Sequence, residues 1–366
     1  MTVQIEQGQL YFYRLFDVAD FIHLARVEEL LKSNDTKRLD FKRFPKTQLS
    51  IPVPPLSFGL NSHALIINNK NYTLEMSVRV FDFGVISICA KHVLKSNIGL
   101  QEVLDLNGLL AEHVLLETQC KQTAQQIYQW LMPAMTKPLM SGLVEDYTIF
   151  YVEKILGVDD IQQLATEPLL AKIILNESSL RGISQEALSD ATQFCLSYYA
   201  DELTIIDWNS AFIYDPCADT DIPDMIEFTS AQLLELRSYD ALLDREIHHM
   251  YQALSSARGF FKKRHMRALT QRLLRVVIET TELSERIDNS LKWVGDLYLA
   301  HVYQACVAQF NTARWRDQVT HKLGLISRIN DLLMEQINTD RSMLLEFSIF
   351  ILIMVELILT LIRYVN

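Results

Sequence analysis

The sequence predicts an α+β protein with an N-terminal mixed-sheet α/β domain, a long-helix, coiled-coil-like stalk and one C-terminal transmembrane helix. Runs of β-branched and aromatic residues fill the first two thirds of the chain, as in adjacent strands. No proline follows Pro223, and three glycines alone interrupt the last third, which favours continuous helix. Leu, Ile, Val, Phe and Met then dominate the C-terminus. The expected boundaries are 1–220 for the head, 221–342 for the stalk and 343–362 for the transmembrane helix.

Composition narrows the class of protein. The 366 residues are 49% hydrophobic and 22% charged, which excludes a disordered chain. The 11 glycines leave little material for phosphate-binding loops, so a dinucleotide or P-loop enzyme is disfavoured. The five cysteines are scattered without a CxxC, which favours a reducing compartment over a disulfide framework or a zinc ribbon. A net charge of −11 argues against general nucleic-acid binding but permits a local basic patch.

The head should hold strands at QLYFYRL, NSHALIINNK, NYTLEMSVRV, FDFGVISICA, DYTIFYVEKI, ELTIIDW and SAFIYDP. Helical stretches are expected between them at 102–132, 160–175 and 184–199. Because helices and strands alternate irregularly, the sheet should be mixed rather than all parallel.

The stalk carries a heptad pattern of apolar positions that continues into the C-terminal segment. Its members are Val319, Leu323, Ile326, Asn330, Leu333, Ile337, Asp340, Leu344, Phe347, Ile351, Met354, Ile358 and Leu361. A 3.5-residue repeat of this kind is typical of coiled coils, and a core Asn fixes register. The pattern predicts either homo-oligomerisation or an antiparallel hairpin with residues 284–310, and the two are compatible.

The C-terminal segment 343–362 is predicted to span a membrane. Sixteen of its twenty residues are apolar, and about twenty such residues span a bilayer. One central carboxylate does not outweigh them, so Glu356 and Glu346 are expected to be membrane carboxylates. The alternative is a buried amphipathic helix. Basic residues lie mostly before the segment, which places the N-terminal domain in the cytoplasm, and the N-terminus carries no secretory signal.

Two charged segments are candidate sites. The phrase ELRSYDALLDRE forms a head–stalk charge network of Glu235, Arg237, Asp240, Asp244 and Arg245. It is interpreted either as a structural network or as an Asp240–Asp244 pair that could hold a divalent ion. The second segment is a basic run for lipid headgroups or RNA phosphates, with a solvated helix start as the alternative. Its members are Arg258, Lys262, Lys263, Arg264, Arg267, Arg272 and Arg275.

Several phrases together resemble the RMD family, named for "required for meiotic nuclear division". They are LYFYRLFDVADFIHL, VRVFDFGVISI, LVEDYTIFYVEKI, LSYYADELTIIDWNSAFIYDP, QLLELRSYDALLDREI and LLEFSIFILIMVELIL. The resemblance implies an α/β domain, a helical stalk, one membrane span and no assigned enzyme activity. It also implies a bacterial-type member, because the chain lacks an Arg-rich transit peptide.

These patterns favour a membrane-anchored, oligomeric scaffold or tether, non-enzymatic, whose cytoplasmic head binds a protein or ribonucleoprotein partner. No catalytic residue, metal site, cofactor or small-molecule substrate is indicated by the motifs. The alternative is an oligomeric ion-conducting or transport assembly with CorA-like architecture. The expected partners are membrane lipids, further copies of the chain and a protein or ribosome/RNA partner, and the expected location is the bacterial inner membrane, single-pass.

Overall fold

The strands of the protein form where β-branched and aromatic residues recur. The computed structural model describes residues 3–31, 36–38, 53–111, 113–177, 182–256, 270–278, 280–281 and 297–365. Side chains are described for all of these but 36, 38, 253–256, 297, 333, 335–345 and 360–365. The strands are β1 Gln4–Asp17, β2 Ala19–Ile22, β3 Thr36–Arg38, β4 Leu56–Gly59, β5 His63–Ile67, β6 Lys70–Val80, β7 Val85–Val93, β8 Ile98–Gly99, β9 Met135–Pro138, β10 Val144–Leu156, β11 Cys195–Leu196, β12 Leu203–Ile206 and β13 Ser210–Tyr214.

The helices fall between the strands in the first half of the chain and dominate the second half. They are α1 Leu24–Leu30, α2 Leu100–Leu110, α3 Val114–Leu131, α4 Pro168–Ile174, α5 Gln185–Ala191, α6 Asp221–Ser256, α7 Leu297–Gln309 and α8 Thr312–Val365. Single 3₁₀ turns occupy Met132–Ala134 and Ile161–Thr166. Residues 270–278 are also helical. The predicted helix 102–132 is interrupted, because the His113 side chain accepts a hydrogen bond from the Leu115 N–H and caps a new helix.

One mixed sheet contains eleven of the described strands. Its order is β11-β12-β13-β10-β1-β7-β6-β4-β3, with β5 on β6 and β8 on β1, while β2 and β9 pair separately. Strands β10 and β13 are parallel, and the other pairs are antiparallel. The β5–β6 hairpin turns on Asn68 and Asn69, which both have positive φ, as a two-residue turn of this hand requires. The class is therefore α+β with a mixed sheet.

Both faces of the sheet are buried. Along β1, Leu10, Phe12 and Phe16 enter one core with residues of α2, α3 and α4. The intervening Tyr11 and Tyr13 enter a second core with residues of α6 and α7. Because successive side chains of a strand point to opposite faces, a strand that is apolar on both faces must lie between two layers.

The chain divides into two compact units. The first comprises 1–238 and 283–315, and the second comprises 239–282 and 316–366. The boundaries at 220 and 342 stay a prediction from the sequence. The apolar side chains buried in the second unit come from α6, residues 270–278 and α8, and include Leu243, Met250, Leu273, Val319 and Ile326.

The prediction of a transmembrane helix at 343–362 is wrong. Among the residues that the structure describes, no helix contains a stretch long and apolar enough to cross a bilayer. Residues 343–362 are the end of α8, and of their side chains only 346–359 lie within the described part. These fourteen residues include the carboxylates Glu346 and Glu356. The membrane-helix part of the fold class is therefore wrong.

Helix α6 is held against the sheet by ion pairs. Arg79 of β6 lies 2.7 Å from Asp224 (Nη2 to Oδ1) and also pairs with Glu227. The two acids are three residues apart and so share one helix face. Burial raises the pKa of Glu227, and the neighbouring Arg79 charge opposes that rise. Farther along α6, Arg237 pairs with Glu145 of β10.

We expect Arg79→Met to destabilise the protein by about 3–5 kcal/mol, because it leaves buried carboxylates without their cation. Lys121→Met is the matched control. Its pair with Glu117 on α3 is about half exposed, so its loss should cost at most ~0.5 kcal/mol. Urea unfolding of the full chain, followed by tryptophan fluorescence, measures both. A loss below about 1 kcal/mol for Arg79→Met contradicts the assignment.

Candidate functional site

The charged phrase at 235–245 is distributed over both units rather than gathered at one site. Glu235 is 1% exposed. Arg237 contacts Glu145 within the first unit, where burial raises the pKa of Glu145 and Arg237 opposes the rise. Arg245 is exposed on α6. The pair of Arg237 with Glu145 joins α6 to β10 of the sheet.

Asp240 and Asp244 share a lysine within the second unit. The Lys322 Nζ of α8 lies 2.6 Å from the Oδ1 atoms of both carboxylates. The cation between the two carboxylates is therefore the Lys322 ammonium of the same chain. Burial by itself lowers the pKa of Lys322, but hydrogen bonds to the two carboxylates and their charges outweigh it, and the pKa is raised. Within the described ranges no group of three or more His, Cys, Asp or Glu residues could hold a metal.

Most of the basic run lies outside the described residues. This holds for Arg258, Lys262, Lys263, Arg264 and Arg267. Arg272 and Arg275 are exposed on the helical residues 270–278. Arg272 donates from Nη2 to the Oε1 of Glu246 at 2.6 Å, so this cation already has an acidic partner in its own chain.

The two carboxylates at the C-terminus lie on an exposed, largely apolar part of α8. Glu346 and Glu356 are both exposed, and the large hydrophobic residues between 347 and 359 are exposed as well. Since no described helix can span a membrane, three further predictions are corrected with it. These are the role of both residues as membrane carboxylates, lipid binding through the C-terminal helix and the single-pass inner-membrane location.

The structure presents a surface that the sequence reasoning missed, at the edge of the sheet formed by β11 and β12. Trp208 is 63% exposed in the two-residue turn, residues 208 and 209, that the backbone pair of Asp207 and Ser210 closes between β12 and β13. The turn is fixed from beneath, because the Tyr147 hydroxyl lies 2.8 Å from the carbonyl of Asp207 and 2.6 Å from that of Ser210. Burial raises the pKa of the Asp207 carboxyl. The available signal was a tryptophan at the end of the predicted strand ELTIIDW, with one residue between it and the next predicted strand.

Two tyrosines lie at the opposite end of β12. Tyr198 and Tyr199 are each about half exposed and pack edge to face, with ring centroids 4.8 Å apart. Tyr198 also packs against Tyr298 of α7 at 5.6 Å. The Glu202 N–H donates to the Tyr199 carbonyl at 3.2 Å. We call Tyr198, Tyr199 and Trp208 the aromatic edge.

Comparison with known proteins places this chain among uncharacterised relatives. A family model described as the N-terminal domain of the uncharacterised protein MJ0711 matches residues 7–220, which is more than half of the chain. The uncharacterised protein MJ0711 of Methanocaldococcus jannaschii is 24% identical over 307 residues, covering 84% of this chain and 88% of that protein. No solved structure matches the chain.

The resemblance to the RMD family is therefore wrong. The phrases that carried it are strand and helix segments rich in Leu, Ile, Phe and Tyr. Such composition is shared by many buried strands and helices, because burial selects the same apolar residues in unrelated proteins. The match over residues 7–220 ends immediately before α6 begins at Asp221.

We expect the stabilising effect of Lys322 to persist to strongly alkaline pH. A raised folded-state pKa means that the contribution is fully present below the ordinary value of 10.5 and is lost as pH rises through the higher, folded value. The difference in unfolding free energy between the unmodified protein and Lys322→Met should thus be constant from neutral pH to about pH 10 and shrink above it. Urea unfolding across this range measures it. Lys322→Arg, which keeps the charge above pH 11, is the control, and a difference that fades below pH 9 contradicts the ion pair.

Proposed function

Because this chain belongs to the family of the MJ0711 N-terminal domain, which is described only as uncharacterised, we propose a function from its own surfaces. It is a non-enzymatic scaffold that self-associates through the end of α8 and binds a protein partner through the first unit, which contains the large sheet. The single observation that carries the proposal is the exposure of the apolar side chains near the end of α8.

Eleven large hydrophobic side chains in this part of α8 are between 44% and 67% exposed. They are Phe347, Ile349, Phe350, Ile351, Leu352, Ile353, Met354, Val355, Leu357, Ile358 and Leu359. The largest apolar patch on a typical monomer is only ~300–600 Å², and larger patches mark interaction sites. Eleven half-exposed side chains of this size exceed that range, so this segment favours a partner.

The apolar side chains surround the helix. Residues 349–353 are five consecutive exposed hydrophobic residues. Successive residues of an α-helix are about 100° apart, so five of them cover the full circumference. A single neighbouring helix covers only one stripe, whereas a helix within a bundle meets two or more neighbours. This geometry favours assemblies of three or more copies.

The heptad positions support a second copy as the occupant. Upstream on α8, Val319 and Ile326 are fully buried within the second unit. The same face of the helix continues to Phe347, Ile351 and Ile358, which are exposed. A face that is covered by the chain itself at one end and repeats the same 3.5-residue spacing at the other is suited to identical helices.

The buried thiols and the buried arginine of the first unit favour a binding role over a catalytic one. Burial raises the pKa of the Cys120 thiol to about 11 and that of Cys89 and Cys306 farther, so these thiols are protonated at neutral pH and poorly nucleophilic. Arg79 is committed to the acids of α6. The thiols are protonated and the guanidinium is paired, so these groups are suited to stabilising the fold.

We expect the purified protein to elute at three or more times its chain mass of 42.3 kDa, measured by light scattering across a concentration series. Leu352→Glu places a charge in the contact and should raise the concentration needed for assembly at least tenfold. Leu332→Glu is the matched control, because Leu332 lies on the same helix with nearly the same exposure, 64% against 67% for Leu352.

We expect Leu332→Glu to assemble at the same concentrations as the unmodified protein. A monomer at all concentrations, or a chain that assembles only on lipid vesicles, overturns self-association. Unchanged assembly in Leu352→Glu does so as well.

A further inference from the structure

The aromatic edge has the properties of a preorganised binding surface. Trp208 sits on a two-residue turn that the Tyr147 hydroxyl holds, and Tyr198 is wedged between Tyr199 and Tyr298. Exposed Trp and Tyr residues are enriched among those that dominate binding energy. Side chains that are already held in place lose less entropy on binding, so this edge is better suited to a partner than mobile aromatics are.

Acidic side chains accompany the aromatic edge. In the described residues between 157 and 209 the exposed charged residues are all acidic: Asp159, Asp160, Glu167, Glu186, Asp190 and Asp201. The lysine in these ranges, Lys172, is half-buried. The local excess of negative charge is therefore much sharper than in the chain as a whole.

Hydrogen bonds tie two acid-bearing segments to the ends of β12. The Gln162 Nε2 donates to the Glu202 carbonyl at 2.9 Å, so the segment that carries Asp160 meets the chain next to Asp201. The Ile206 N–H donates to the Phe194 carbonyl at 3.1 Å, so the segment that follows α5, which carries Asp190, meets the last residue of β12. Segments that carry exposed acids are thus hydrogen-bonded to residues at both ends of β12.

We propose that this surface, comprising the aromatic edge with Asp160, Asp190 and Asp201, binds a Lys- and Arg-rich segment of a protein partner. The proposal rests on the partner-binding part of the function proposed above and names the class of partner. A guanidinium or ammonium group gains both an ion pair with the acids and a cation–π contact with Trp or Tyr. Nucleic acid is disfavoured, because its phosphates would meet the same acids.

The length of β12 sets the size of the segment. From Glu202 to Asp207, the two residues that flank β12, the chain advances five residues, about 17 Å at ~3.3 Å per residue. An extended segment of about six residues therefore spans from the two tyrosines to Trp208. Alternate residues of such a segment face the same side, so three alternating cations can meet the surface.

The probe is a fluorescent peptide of alternating Gly and Arg, with a citrulline-for-arginine peptide as the uncharged control. We expect fluorescence polarisation to show binding of the arginine peptide alone, weakening with added salt. Trp208→Ala and Tyr199→Ala should each weaken binding at least tenfold, and Asp201→Asn less. Trp130→Ala, which removes a 41% exposed tryptophan of α3, is the matched control and should leave binding unchanged.

Circular dichroism of each variant checks that the turn and the sheet persist, and Tyr199→Ala tests the surface independently of the turn. Equal binding of both peptides, unchanged binding in Trp208→Ala and Tyr199→Ala, or preferential binding of single-stranded RNA overturns the proposal. The peptide assay is repeated on Leu352→Glu, which should bind as the unmodified protein does. If the unmodified protein self-associates but does not bind the arginine peptide, this inference alone is refuted. If it binds the peptide but does not self-associate, the proposed self-association alone is refuted.

Discussion

The contact between Arg79 and the first turns of α6 is the constraint on which the first unit depends. One face of the sheet is covered by apolar helices that could slide along it, because apolar contacts are non-directional. A buried guanidinium with two carboxylates 145 and 148 residues away in sequence has one geometry. It therefore fixes where α6 begins on the sheet, and Arg237 with Glu145 fixes the same helix about three turns later.

Much of the sheet could be predicted from the sequence, because strand formation depends on local residue type and alternation. The segments around Tyr11, Ser77, Ile149 and Ile205 are all strands. The order of the strands could not be predicted in the same way. The parallel pairing of β10 with β13 depends on the connection through α4 and α5, and on the fit of Ser210, whose hydroxyl contacts the Ile174 carbonyl.

The charged residues show the same division between local and long-range information. The spacing of Asp240 and Asp244 indicated that the two carboxylates share a partner. That partner, Lys322, lies about 80 residues away in sequence, so local spacing could not show that it is an ammonium group. The apolar segment on α8 was recognised, and the membrane span inferred from it was wrong. Hydropathy reports that a segment is apolar, whereas what covers it depends on neighbours that a single sequence does not specify.

The outermost strand of the sheet on the aromatic side, β11, has only two residues. A long open edge offers a row of free N–H and C=O groups, which other chains can extend into amyloid-like stacks. Strand β11 is short and pairs with Thr204 and Ile205 of β12, whose other side pairs with β13. Few backbone groups at this edge are therefore left for pairing with another chain. Exposed aromatic rings at this edge therefore carry a low risk of aggregation, because a second chain must be bound by side chains rather than by strand pairing.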